Sequence, residues 1–563
     1  MPNSALDQLA ADYWDAFLER NPVQGTAIGD HRYDDRLTDI TPTGRAAAER
    51  RFEELAGRVA DLDMSGLTDE EALSVSALRH LIGAEQTFLE ADPLAYTVDH
   101  MNGPQVAFLD VPSLQPLRDA GDGDAMLARW RAMGPWTDDL VANLRRGLDD
   151  GHSPVAIHVE RVISELDDLL ARPIEEWPLL DPLRTQDPPL PPADWAALAS
   201  DLEAAVREGV RPAFVRYRSF VAEEALPRSR DEAHAGMGNL QGGLERYAAL
   251  AHAHTTTGLE PGELHGIGLE EIARIDAEIA GLGRRVLGTD SLAATLASLR
   301  NDRSLYFATR DEVQDVAERS LRAAEAAIPE WFGRLPATPC EVVVMLPHEE
   351  AHSTIAYYRE PAADGGRPGR YYINTSEPQT RPRYEAEALA FHESVPGHHL
   401  QVAIGQELTS LPTFRRHADV TAFVEGWGLY AERLANEMGL YSGDLERLGM
   451  LSYDAWRASR LVVDTGMHAL GWSRTQAIQF MTEHSALAVN NITNEVDRYL
   501  VWPGQALAYK VGQLEVRRLR TDAETRLGGR FDIRTFHDAV LGHGPLPLGT
   551  LREAVSRDLG LTA

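Results

Sequence analysis

Residues 390–401 read Ala-Phe-His-Glu-Ser-Val-Pro-Gly-His-His-Leu-Gln and put His392, Glu393, His398 and His399 inside one stretch of eight residues. Histidine is a ready metal ligand, and a carboxylate beside it can take a proton from a metal-activated water. Zinc hydrolases of the HExxH type place histidines at i and i+4, because one helical turn then brings both imidazoles to one ion. His392-Glu393 opens such a motif, but position i+4 is Pro396 and the next histidines fall at i+6 and i+7. On a straight helix i+6 lies about 120° around the axis, and i+7 sits about 10 Å along it. Neither reaches an ion whose bonds to nitrogen are about 2.0–2.1 Å long. Pro396 cannot donate to the carbonyl of His392, it drives Val395 out of helical angles, and Gly397 adds freedom. The spacing therefore permits a metal site only if the helix is broken here, with His398 or His399 swung back beside His392.

A third ligand is expected from Glu425, in Val424-Glu425-Gly426-Trp427-Gly428-Leu429-Tyr430-Ala431-Glu432-Arg433, 33 residues after His392 on a second helical run. Glu432 is the competitor on the same face, but its place before Arg433 suits an ion pair or a group that supports a ligand. Gly426 and Gly428 would let this helix approach another backbone closely. The His/His/Glu set makes one Zn2+ per chain the expected cofactor, with Mn2+ and Co2+ also compatible.

These blocks, with Arg460-Leu461-Val462-Val463-Asp464-Thr465-Gly466-Met467-His468 and Arg498-Tyr499-Leu500-Val501-Trp502-Pro503-Gly504-Gln505-Ala506, resemble the signature of the bacterial domain-of-unknown-function 885 family. The specific resemblance covers about residues 340–515. It implies a mostly helical metallopeptidase-like fold, akin to thimet oligopeptidase, angiotensin-converting enzyme and the thermostable carboxypeptidases. Those enzymes have an intact HExxH, so the second histidine stands between His398 and His399. The likeness of Gly397-His398 to the Gly-His of their motif favours His398.

Zinc peptidases also need a donor for the developing oxyanion, and usually an edge strand that aligns the substrate. Tyr499 and Tyr509 are the tyrosine candidates, each beside a basic residue, and Tyr499 is preferred. His468, four residues after Asp464, is a further donor candidate or a hydrogen-bonded core histidine. Arg498 and Lys510 could pair with a substrate carboxylate, which would favour cutting near a C-terminus. Tyr372 and Asn374, in the run Tyr371-Tyr372-Ile373-Asn374, mark the candidate substrate strand. His252, His254 and His265 read as structural.

The elements that must position these groups are mostly helices. Apolar spacing predicts helices near 4–20, 43–62, 68–92, 124–149, 153–171, 193–224, 242–256, 261–285 and 310–329. Thr68 and Thr309 each precede a Glu by three residues, as a capping box requires, and Ser153-Pro154 suits a helix start. Residues 173–192 hold seven prolines and read as an extended surface connection. Residues 340–374 change to β-branched and aromatic runs broken by Pro and Gly, with a hairpin loop over 361–369. The fold class is mainly α with a small antiparallel β-sheet next to the active-site helices. A helical lobe over 1–335 would form cleft walls, and 336–563 the catalytic lobe.

The chain has 563 residues, and 54 Lys plus Arg stand against 87 Asp plus Glu, a formal charge of −33. That balance argues against nucleic acid or an anionic membrane as partner. Cys340 is the only cysteine, which excludes an intrachain disulfide. With no signal-like start and no long apolar run, the expected location is cytoplasmic. The expected activity is a zinc-dependent peptidase acting on short peptides, of oligopeptidase or carboxypeptidase type, with Glu393 as general base. The alternatives are a metal-dependent amidohydrolase of a non-peptide amide or ester, and a metal-stabilised helical binding protein without turnover. Oligomeric state is not legible.

Overall fold

The computed structural model describes residues 4–185, 188–345, 350, 354–362 and 367–561. Helices form where the apolar spacing places them: Ser4–Arg20, Pro42–Ala60, Asp69–Ala91, Ala120–Asp149, Gly243–Thr255 and Arg310–Ala327 among them. Thr68 starts its helix through a reciprocal cap, in which the Glu71 N–H donates to its hydroxyl at 3.2 Å and its own N–H donates to Glu71 at 2.7 Å. Ser153-Pro154 does not start the next helix; Val155 precedes Ala156–Ala171 without a side-chain cap. The expected helix over 193–224 contains two wider π-type turns, Ala205–Val210 and Val221–Ala225.

Contacts divide the chain into two units. One holds Asp12–Arg58 and Glu85–Gly243. Its core packs Trp130, Met133 and Leu144 of Ala120–Asp149 against Val162 and Leu166 of Ala156–Ala171 and Phe214 of Arg211–Phe220. Pro188, Pro189, Pro191 and Pro192 are exposed as expected, but the first part of the stretch, residues 173–183, belongs to this core. It folds as short helical turns, buries Trp177, Leu179 and Leu180, and accepts the Trp130 indole N–H at the Leu179 carbonyl. Prolines set helical φ at the first position of such turns, so proline density here shapes a packed turn.

The other unit holds Met1–Ala11, Val59–Ala84 and Leu244–Ala563. Residues 244–335 thus group with the C-terminal part, where the sequence suggested a boundary near 335. The reason is α1 (Pro261–Val286), which runs along α5 (Asp444–Ala469) so closely that a Cβ on Gly268 would lie 2.7 Å from Leu461 Cβ. The remaining elements around the site are β1 (Cys340–Val344), β2 (Ala356–Arg359), β3 (Gly369–Ile373), α2 (Arg383–Glu393), α3 (His398–Glu407), α4 (Thr421–Glu437), α6 (Val489–Val501) and α7 (Leu507–Leu527). The strand order is β1-β3-β2, with β3 parallel to β1 and antiparallel to β2. The sheet is therefore mixed rather than antiparallel, because β3 pairs antiparallel with β2 on one side and parallel with β1 on the other. Four positions of the expected hairpin loop, 363–366, lie outside the described residues. Among the described residues no helix is long and apolar enough to cross a membrane.

Candidate metal centre

The helix that carries His392 ends one residue later, and the cause is local. The Ser394 hydroxyl donates to the Ala390 carbonyl at 2.6 Å, so the last turn of α2 is closed by a side chain. Pro396 and Gly397 then reverse the chain, and α3 restarts at His398. The turn is tight enough that a Cβ on Gly397 would stand 1.9 Å from the His392 carbonyl oxygen. Trp427 of α4 pins the turn, its indole N–H donating to the Pro396 carbonyl at 2.9 Å. The break sets the His392 and His398 rings 4.7 Å apart and nearly perpendicular.

Glu425 completes the group. Its Oε2 lies 3.7 Å from His392 Nε2 and 3.4 Å from His398 Nε2, and one ligand atom from each of the three residues falls within 4.8 Å of the others. Those separations exceed a good N–H···O hydrogen bond and match donors spread around one tetrahedral ion. Two buried atoms, Glu425 Oε2 and His398 Nδ1, have no hydrogen-bond partner. Helix α4 builds most of this environment on one face. Gly428 leaves room for both rings, since a Cβ there would meet His392 Cε1 at 2.8 Å and His398 Cε1 at 3.1 Å. One turn further, the buried Glu432 accepts the His392 Nδ1–H at 2.8 Å, which fixes the tautomer and leaves Nε2 to face Glu425. Glu432 is thus a buried support for the His392 ring, not a surface ion pair.

The electrostatics are those of a site short of positive charge. Burial disfavours a charge on His392, yet Glu425 and Glu432 beside its nitrogens carry it up to about 9. Burial would raise Glu425, but the two imidazoles hold it well below the usual carboxylate range. Burial pushes Glu393 up, with His392, His398 and Arg457 opposing and Glu425 adding. Glu393, Glu425 and Glu432, with Asp419 in electrostatic reach of Glu425 and His398, thus stand around two imidazoles with Arg457 nearby, a donor set that fits a divalent cation. Glu425 keeps 20% of its side-chain surface exposed and His398 11%, against 3% for His392, so their side of the cluster is the more open one.

The other candidates scatter. Tyr499 is not at this site: its buried hydroxyl accepts from the Trp456 indole and Arg460 Nε and donates to Glu495 at 2.9 Å, a saturated core network. A tyrosine beside Glu425 is Tyr509. Burial and the adjacent Glu425 push its hydroxyl up to about 12, against the pull of Arg460 and Arg498. The Arg460 guanidinium packs 4.2 Å from its ring centre. His468 faces the Tyr499 carbonyl at 3.0 Å and stacks on Tyr247, so it is a core histidine. Arg498 spends its guanidinium on Glu495 and Gln505. Lys510 is fully buried against Asp454, Glu271 and Gln513, and offers nothing to a substrate carboxylate.

The candidate substrate strand also shifts. β3 has neighbours on both sides, so its backbone cannot take a further strand. Tyr372 stacks on Tyr357 at 4.8 Å, on the face opposite Tyr371 and Tyr358. Asn374 donates to the Glu350 and Thr354 carbonyls and accepts from Ser376, holding a loop. The residues overlooked at the sequence level are Tyr358 of the edge strand β2, whose ring lies 6.4 Å from that of His398, and Tyr371, whose hydroxyl is pushed up by burial and by Glu393. The tyrosine-bearing run 371–374 is visible in the sequence as a strand, but not that among the described residues it lies inside the sheet with β2 at one edge.

Fold and site define a mainly helical protein with a buried His/His/Glu cluster behind a small mixed sheet. A family model described as "Bacterial protein of unknown function (DUF885)" matches residues 22–555, and the chain belongs to that family. Among solved structures, the "putative lipoprotein" from Colwellia psychrerythraea is similar over 99% of this chain and 100% of its own, with a TM-score of 0.91 and 26% identity. A "putative lipoprotein of unknown function" from Shewanella oneidensis covers 97% of this chain and 99% of its own at a TM-score of 0.74, and at 16% identity shares the fold. No curated protein matches.

Proposed function

We propose that this protein is a zinc-dependent peptidase acting on short peptides, with His392, His398 and Glu425 holding one ion per chain. The observation that supports it is the convergence of those three donors across a broken helix, with the Glu393 carboxyl in their electrostatic reach. When bound, zinc would acidify a water and polarise an amide carbonyl. Glu393 takes the proton of the attacking water and hands it to the leaving nitrogen, a role served by a carboxyl whose pKa burial has raised. Tyr509, in place of Tyr499, donates its hydroxyl to the developing negative charge on the carbonyl oxygen. Glu432 keeps the His392 imidazole in the tautomer that presents Nε2. The peptide class is supported by β2, which pairs with β3 on one side and lies next to His398, where an extended chain could add to the sheet.

The test is metal content of protein purified without added metal, followed by a screen of short peptides. About one zinc per chain, lost in His392→Ala, His398→Ala and Glu425→Ala, together with peptide cleavage abolished by Glu393→Gln, is the expected result. Absence of zinc after supply overturns the centre. Zinc with cleavage of amides or esters but no peptide would replace the substrate class and keep the centre.

A further inference from the structure

The third histidine of the signature is not used by this reading, and its surroundings assign it another task. His399 follows His398 on α3 but turns to the sheet. Its Nε2–H donates to the Thr338 carbonyl at 3.0 Å, so its Nδ1 is an acceptor, and the Tyr358 hydroxyl fills it at 3.1 Å. Thr338 leads into β1, and Tyr358 lies in β2. β3 meets the same ring: a Cβ on Gly369 would stand 2.3 Å from His399 Nδ1 and 2.9 Å from the Tyr358 hydroxyl. One imidazole therefore touches the approach to β1, the middle of β2 and the start of β3. The far end of α3 repeats the hold, with Glu407 accepting the backbone N–H groups of Ala337 and Thr338 at 2.9 and 3.0 Å.

We infer that His399 is a positioning residue, which clasps the edge strand β2 in register with the metal ligands so that a peptide added to that strand meets the centre at a fixed offset. It rests on the peptidase reading for its consequence, but its geometry does not. Adjacent residues of one helical turn serve the two halves of the site. His398 faces Glu425 and His399 faces the strand, so any slide of β2 along α3 must break the Tyr358–His399–Thr338 chain. An edge strand with partners on one side has no second ladder to hold its register, which is why a side-chain clasp matters there.

The experiment compares wild type with His399→Leu, Tyr358→Phe and the conservative His399→Gln, which keeps an acceptor and a donor. Three readouts are taken: zinc content, hydrogen exchange of the β2 amides in the zinc-loaded protein, and KM and kcat on a short peptide that wild type cleaves. The inference expects zinc retained in all three. His399→Leu and Tyr358→Phe should exchange Ala356–Arg359 faster with α2 and α4 unchanged, and raise KM about tenfold with a smaller change in kcat. His399→Gln should recover much of both. Loss of zinc on changing His399 would make it a ligand and overturn the inference, as would unchanged β2 exchange in folded variants. Exchange altered with KM unmoved would overturn the positioning role. A wild type that cleaves no peptide sinks the peptidase reading, while the exchange data still decide the clasp.

Discussion

Glu432 Oε1 lies 2.8 Å from His392 Nδ1, and both side chains are buried. The carboxylate orients the ring, so Glu432→Gln should keep the fold and lower zinc affinity about 10–100-fold, measured by competition with a chromophoric chelator. Glu425→Gln removes a proposed ligand and should cost far more. Equal effects of the two substitutions would mean that Glu432 also ligates.

Gly428 and Gly426 sit two residues apart on α4 but protect different things. A Cβ at Gly428 meets the His392 and His398 rings, whereas at Gly426 it meets the Gly512 Cα of α7 at 2.5 Å. Gly428→Ala should therefore lose zinc with a near-normal melting temperature, and Gly426→Ala should lower the melting temperature by several degrees. Zinc retained in Gly428→Ala would show that the rings yield.

Tyr509→Phe and Tyr499→Phe separate chemistry from packing. Tyr509→Phe should retain zinc and reduce kcat on a cleaved peptide by about 10²-fold, with stability little changed. Tyr499→Phe strips a hydroxyl that satisfies Trp456, Arg460 and Glu495, so it should destabilise the fold by about 1–3 kcal/mol. A kcat effect confined to Tyr499→Phe would reverse the assignment.

Lys510 and Asp454 form a buried pair joined by Arg433 and Glu271. Lys510→Met leaves those carboxylates partly unpaired and should cost about 3–5 kcal/mol in denaturant unfolding. It should not alter any preference for a free C-terminus, because the ammonium is enclosed. A selective loss of such substrates in a stable variant would contradict the enclosure.

His537 is buried with Nδ1–H on the Trp331 carbonyl and Nε2 accepting from Tyr430, and burial lowers it to about 3. The unfolded chain takes up a proton near pH 6.5 that the folded chain refuses until about 3. Stability linked to this group is therefore complete above pH 6.5 and lost as pH falls toward 3, with a slope of about 1.4 kcal/mol per pH unit. His537→Phe should be less stable at neutral pH and have a shallower acid slope, by about one proton, in unfolding free energies measured from pH 7 to 4. An unchanged slope would show that the imidazole titrates normally.

The helices, their caps at Thr68 and Thr309, and the break after His392 could be read from residue types alone, because apolar spacing, capping and the effects of proline act over one or two turns. So could the candidate donors, since few side chains bind metal and three histidines fall within eight residues. What tertiary structure decided was direction. His398 and His399 are neighbours with the same chemistry, and only the Ser394 closure, the Trp427 pin and the room at Gly428 turn one toward Glu425 and the other toward the sheet. Tyr499 and Tyr509 differ little in sequence, yet the first is saturated by Trp456 and Arg460 of α5 and Glu495 of its own helix, and the second faces the centre across α4 and α7. The strand at the edge, the burial of Lys510 and the packing of residues 244–335 against α5 likewise depend on contacts between residues far apart in the chain. Local patterns carry no record of such contacts, because long-range packing chooses among side chains that sequence leaves equivalent.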